Sequence, residues 1–139
     1  MGEFDLIDRF FKRPARRAAL GVGDDCALLN PTPGMQLAIS TDLLLEGRHF
    51  LSTVDPVRLG HKALAVNLSD LAACGARPLA FTLALALPEA IDAWLEGFSR
   101  GLFALERLET SGSLTLGVAL LGAWAALVPA PEPDDPQRS

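Results

Sequence analysis

The segment Leu79–Leu87 constrains this chain more than any other. It reads Leu-Ala-Phe-Thr-Leu-Ala-Leu-Ala-Leu. Odd and even positions are both apolar, so a strand here has no face for water and must be covered on both sides. The flanking segments can supply that cover. Val57–Cys74 reads as one long helix, with Gly75 where a left-handed residue would end it and Pro78 three residues on. Pro88 and Glu89 open a second helix, running to about Arg107. Its Ile91, Trp94, Leu95, Phe98, Leu102 and Leu105 form one stripe.

The remaining segments complete a small α+β domain. Phe4, Ile7 and Phe11 share a face of a short amphipathic helix that Pro14 closes. Cys26–Leu29 and Gln36–Leu44 read as strands joined by the turn Asn30-Pro31-Thr32-Pro33-Gly34, which suggests an antiparallel hairpin. Leu114–Leu121 reads as a further strand. The order ββαβαβ predicts a mixed or antiparallel sheet packed with helices. One domain is expected over residues 1–125. The proline-rich tail over 126–139 is read as disordered, because its prolines and charges cannot join a core.

Charge narrows the function classes. Lysine and arginine total 12 against 17 acidic residues, a net charge of −5. Nucleic-acid binders carry the opposite sign, whereas acidic clusters suit divalent cations and the phosphates they carry. No basic segment precedes an apolar leader, and Cys26 and Cys74, which lack metal spacing, read as small core residues and as free thiols of a reducing, cytoplasmic compartment. Leu114–Val128 is strongly apolar. As a helix it would reach only about 22 Å, against a hydrocarbon core of about 30 Å, so a buried strand is the better reading and no membrane partner is expected.

Three acidic clusters are the candidates for chemistry. Asp24 and Asp25 lie in the loop Gly21-Val22-Gly23-Asp24-Asp25. That loop lacks the third glycine of a dinucleotide fingerprint and precedes a strand rather than following one. No phosphate-binding loop of the G-x-x-x-x-G-K-[ST] kind occurs. Ser40-Thr41-Asp42 ends the second strand. Period-two alternation puts Ser40 and Asp42 on one side, where two oxygens and the Thr41 carbonyl suit a hard cation. Ending a strand and capping a turn is the commoner fate of such a triplet, and taken alone it is the favoured one. Asp70 lies on a helix face shared with Val66, Asn67, Ala73 and Cys74, with no lysine or arginine at i±3 or i±4. A carboxylate there needs a distant arginine, a capping role or a cation, and the residues alone leave these open. His49 follows the flexible Glu46-Gly47-Arg48 loop and can reach a ligand; a satisfied surface histidine is the plainer reading for it and for His61.

The residues also carry a resemblance. Leu20-Gly21-Val22-Gly23-Asp24-Asp25-Cys26-Ala27-Leu28-Leu29 resembles the opening of thiamine-monophosphate kinases. So does Leu37-Ala38-Ile39-Ser40-Thr41-Asp42-Leu43, followed by Glu46-Gly47 and His49-Phe50. The third match is the run from Gly60 to Ala73 containing Asn67-Leu68-Ser69-Asp70, then Gly75-Ala76 and Pro78. The match extends from Gly2 to about Leu105. The wider superfamily includes aminoimidazole ribonucleotide synthetase and shares the Thr-Asp and Asn-x-x-Asp elements.

The resemblance implies transfer of the ATP γ-phosphoryl group to thiamine monophosphate, on the N-terminal domain of the aminoimidazole ribonucleotide synthetase-like fold. It implies several Mg²⁺ ions held by Asp25, Ser40, Thr41, Asp42 and Asp70, and contact of His49 with the thiamine phosphate. It also implies a homodimer built through a shared β-barrel. The family's Gly-Gly-Asp-Thr-Thr-Arg loop has no counterpart: Glu106-Arg107-Leu108-Glu109-Thr110-Ser111 stands in its place. No nucleotide-binding residue is therefore assigned. A non-catalytic dimerisation or metal-binding module, and another ATP-dependent enzyme of the superfamily, are the alternatives.

Overall fold

The computed structural model describes residues 2–14, 18–20, 22, 26, 28–109 and 119–121. Two long helices form its centre. Asp55 starts the first, α2 (Pro56–Ala73), by accepting a hydrogen bond from the Val57 N–H at 2.8 Å. Pro56 takes the first position, where no N–H is needed. The helix ends as the sequence predicts. Gly75 has φ +65°. Ala76 N–H donates to Leu71 O at 2.9 Å and Gly75 N–H to Ala72 O at 3.0 Å, a Schellman ending. Gly75→Ala should lower stability by about 1 kcal/mol, because the left-handed region is unfavourable to a residue with a Cβ. An unchanged urea midpoint would refute that.

The partner helix is α3 (Asp92–Glu109). Leu59, Ala63 and Leu64 of α2 meet Phe98, Leu102 and Leu105 of α3, with Leu44 beside them, in one buried cluster. Trp94 stacks on Phe98 with ring centroids 5.1 Å apart, and Phe11 meets Phe98 edge-on at 6.4 Å. The expected stripe is buried at Leu95, Phe98, Leu102 and Leu105. Ile91 lies ahead of the first helical turn and is 53% exposed. Phe103, outside the expected stripe, is buried and lies beside Phe81.

The N-terminal helix departs from the expected pattern. Glu3–Leu6 is α-helical (α1), and Ile7–Phe11 continues as a π-helical turn that Lys12 N–H closes onto Ile7 O at 2.8 Å. The wider turn shifts the inward position. Phe10 is buried, Phe11 is half-buried and Phe4 is 77% exposed.

The strands correct the hairpin reading. β1 (Ala18–Leu20) pairs antiparallel with β2 (Leu28–Leu29). β3 (Asp42–Leu44) pairs in parallel with β4 (Ala119–Leu121), with Asp42 opposite Ala119. The second predicted strand thus shrinks to its last three residues, and its partner lies far along the chain rather than across the proline turn. One parallel and one antiparallel pair beside two helices keep the α+β class. Residues 79–87 form no strand, and only Leu85 makes an isolated bridge. Phe81, Leu83 and Leu85 are partly buried against the helix cluster, rather than enclosed on both sides. Cys26 and Cys74, expected in the core, are both exposed. The readings at Asp24 and Asp25, at 114–118 and over the tail 126–139 lie outside the described residues.

Candidate functional site

The site is built where the chain ahead of β3 meets the last turn of α2. Ser40 lies two residues before β3, and its hydroxyl donates to Asp70 Oδ2 at 3.0 Å. Ser40, Thr41 and Asp42 therefore lead into a strand rather than end one, which corrects their expected place. Burial alternates along this stretch: Ser40 and Asp42 are half-buried and Thr41 between them is exposed.

Burial is distributed differently from the expectation. Asp70 is exposed, so the cost of burying it does not arise, and its partner is the Ser40 hydroxyl rather than an arginine. Asp42 carries the unusual oxygen: its Oδ2 is buried and accepts no hydrogen bond among the described residues. One turn before Asp70, Asn67 is in the same condition. Its Nδ2 donates to Ala63 O at 3.3 Å, while its Oδ1 is buried and unpartnered. Sequence reasoning named Asn67 only as part of a motif. Its signal was an amide on an otherwise small, apolar helix face.

A buried carboxylate oxygen without a donor is unfavourable by several kcal/mol unless a cation meets it. The polar groups of these two segments offer oxygens: the hydrogen-bonded pair Ser40 and Asp70, Asp42 two residues after Ser40, and the Asn67 carbonyl one turn before Asp70. Such a set fits a hard divalent cation and not a soft one. No cluster of three or more acidic, imidazole or thiol side chains able to hold a metal occurs among the described residues. Mg²⁺ is commonly held by one or two carboxylates together with substrate phosphates and water, and that is the mode these residues suit. Asp25, the further acid that the resemblance implies, lies outside the described residues.

His49 is exposed on the loop after β3. Gly47, at φ +77°, lets that loop turn, and Glu46 bridges to Phe50 across it. Leu45 N–H donates to His49 Nδ1 at 2.9 Å. In the neutral ring the proton then resides on Nε2, the ring's remaining donor. Lys62 on α2 donates to the His49 carbonyl and ties the loop down. His61 is exposed near the start of α2 and has no described role.

The chain is 59% identical over 108 residues to the thiamine-monophosphate kinase of Salmonella typhimurium, covering 75% of this chain and 33% of that protein. It is 49% identical over 105 residues to the enzyme of Haemophilus influenzae, covering 73% and 32%. The crystal structure of thiamine-monophosphate kinase from Stenotrophomonas maltophilia superposes with a TM-score of 0.69 at 44% identity, covering 88% of this chain and 39% of that one. The chain thus spans about a third of the length of the curated relatives it matches. Residues 23–126 match the family described as AIR synthase related protein, N-terminal domain, and this chain belongs to that family.

Proposed function

We propose that this chain, with residues 1–125 as its domain, is the ATP- and Mg²⁺-binding part of a kinase. The reaction would move the γ-phosphoryl group of ATP to thiamine monophosphate, giving thiamine diphosphate in the cytoplasm. The observation that carries this reading is the buried Oδ2 of Asp42, which accepts no hydrogen bond among the described residues, two residues on from the Ser40 hydroxyl that donates to Asp70. The kinase names of the relatives supply the reaction.

Phosphoryl transfer asks a protein mainly to neutralise phosphate charge and to hold two substrates in line. Asp42, Asp70, Ser40 and Thr41, with Asp25, would hold Mg²⁺, which when bound supplies that neutralisation. The Nε2–H of His49 would donate to a phosphate oxygen of the thiamine ester. A donor there would orient the substrate's phosphate. Lys62 would keep the loop in register through the His49 carbonyl.

Titration calorimetry with ATP in the presence and absence of Mg²⁺ tests the assignment. Mg²⁺-dependent binding by the wild type, lost in an Asp42→Asn, Asp70→Asn double variant, is expected. Equal binding by both proteins would remove the metal role.

Self-association is part of the same reading. Met35 is 70% exposed, Leu37 49% and Ile39 86%, all on the extended chain that leads into Ser40. Three large apolar side chains along one short segment suit burial in a second copy. A dimer is expected in sedimentation at micromolar concentration, with Ile39→Lys shifting it to monomer. A wild type that stays monomeric at high micromolar concentration would refute this.

A further inference from the structure

A second polar site lies on the other flank of α3. A cleft of about 380 Å³ opens between the N-terminal helical segment and α3, and none of Ser40, Asp42, His49 or Asp70 lines it. Three arginines do: Arg9, Arg13 and Arg100. The chain as a whole carries −5, so this is a local reversal of sign.

The three guanidiniums differ in what holds them. Arg9 is paired with Asp92. Arg13 lies over the Phe103 ring, 4.6 Å from its centroid, and donates to Lys12 O at 3.1 Å. That stacking orients the guanidinium without a carboxylate, and among the described residues its other N–H donors have no partner. Arg100 makes no ion pair among the described residues, although Glu96 stands one turn before it on the same helix. Counting Arg9, Arg13 and Arg100 against Asp92 and Glu96 leaves one positive charge, and among the described residues neither Arg13 nor Arg100 has a carboxylate partner.

We infer that this cleft binds a small organic phosphate. Two guanidinium forks from two separate elements match a dianion with three oxygens, whereas a single carboxylate would fill only one fork. Glu96 lines the same cleft and repels a bare anion. A phosphate ester that also carries a hydroxyl or ammonium donor satisfies both the arginines and Glu96. The floor beneath is built rather than incidental. Phe10, Ser99 and Phe103 are buried, and the Ser99 hydroxyl is turned back onto Glu96 O at 3.2 Å, fixing the helix face that presents Glu96 and Arg100.

The test uses O-phosphoethanolamine as the probe, at low ionic strength and in EDTA, so that no divalent cation brings phosphate to the acidic site. Saturable one-to-one binding by calorimetry is expected, with a dissociation constant of about a millimolar, weakening as salt rises. An Arg13→Gln, Arg100→Gln double variant should lose at least about tenfold, the loss expected for one charge-assisted hydrogen bond. Asp70→Asn should bind as the wild type does. Glu96→Gln should bind inorganic phosphate more tightly than the wild type, which decides the matter even where the double arginine variant folds poorly. Absence of saturation up to about 10 mM, unchanged binding by the arginine and Glu96 variants, or a loss on Asp70→Asn equal to that of the arginine variant would each overturn the assignment.

Discussion

Replacing Gly60 or Gly101 by alanine should destabilise the protein by about 3 kcal/mol, at the upper end of the cost of overpacking a core. Alanine ordinarily favours a helix by about 1 kcal/mol over glycine, so the packing penalty must exceed that gain before any loss is seen. Here it does. A Cβ at Gly60 would overlap the Phe98 carbonyl oxygen and stand 2.9 Å from its carbon and 3.0 Å from Leu102 N. A Cβ at Gly101 would overlap the Val57 carbonyl oxygen and stand 2.7 Å from its carbon. These are backbone atoms of the facing helix and cannot rotate aside. The helices would have to separate, and the separation opens the contact among Leu59, Leu64, Phe98 and Leu102. Gly97 provides the control. Its Cβ would meet the ring of Pro56, 2.9 Å away at Cγ, which can shift. Gly97→Ala should therefore stay within about 1 kcal/mol of wild type. Urea unfolding monitored by the stacked Trp94 measures all three, and equal midpoints for Gly60→Ala and Gly97→Ala would show that the helix crossing is looser than described.

That crossing also marks a limit of reading the sequence alone. The helices themselves were legible, because Gly75 and the stripe Leu95, Phe98, Leu102 and Leu105 are local signals. Gly60 and Gly101 each look like an unfavourable residue in a helix, and only the approach of a second backbone explains them. Strand pairing failed for a related reason. The pairing of Asp42–Leu44 with Ala119–Leu121 spans most of the chain, and alternation along one strand carries no information about its partner. Phe4 was misplaced because the 3.6-residue period does not survive the π turn at Ile7–Phe11. At the candidate site, residue types and the alternation of Ser40 with Asp42 were readable. Which carboxylate is buried was not, since it depends on how β3 enters the sheet.

Asp42→Asn should act in opposite directions on stability and on ligand binding. The substitution keeps shape and volume, so β3 and its pairing with β4 stay in place. In the metal-free protein the Asp42 carboxylate keeps one oxygen buried with no donor among the described residues, and a charged group left in that condition costs more than a neutral amide. Asparagine should therefore raise the stability of the metal-free protein by about 1 kcal/mol. The same change removes the negative charge that would face Mg²⁺. Mg²⁺-dependent ATP affinity should fall about a hundredfold, or about 3 kcal/mol, the upper range for one interaction with a charged group. Thermal unfolding in EDTA reads the first quantity and calorimetry with Mg-ATP the second. A purely structural Asp42 would lower both together. A gain in stability with full retention of Mg-ATP binding would leave the buried oxygen real but take the cation away from it. Only the crossed result, firmer without metal and weaker toward Mg-ATP, matches a carboxylate that the fold holds at some cost for a cation to meet.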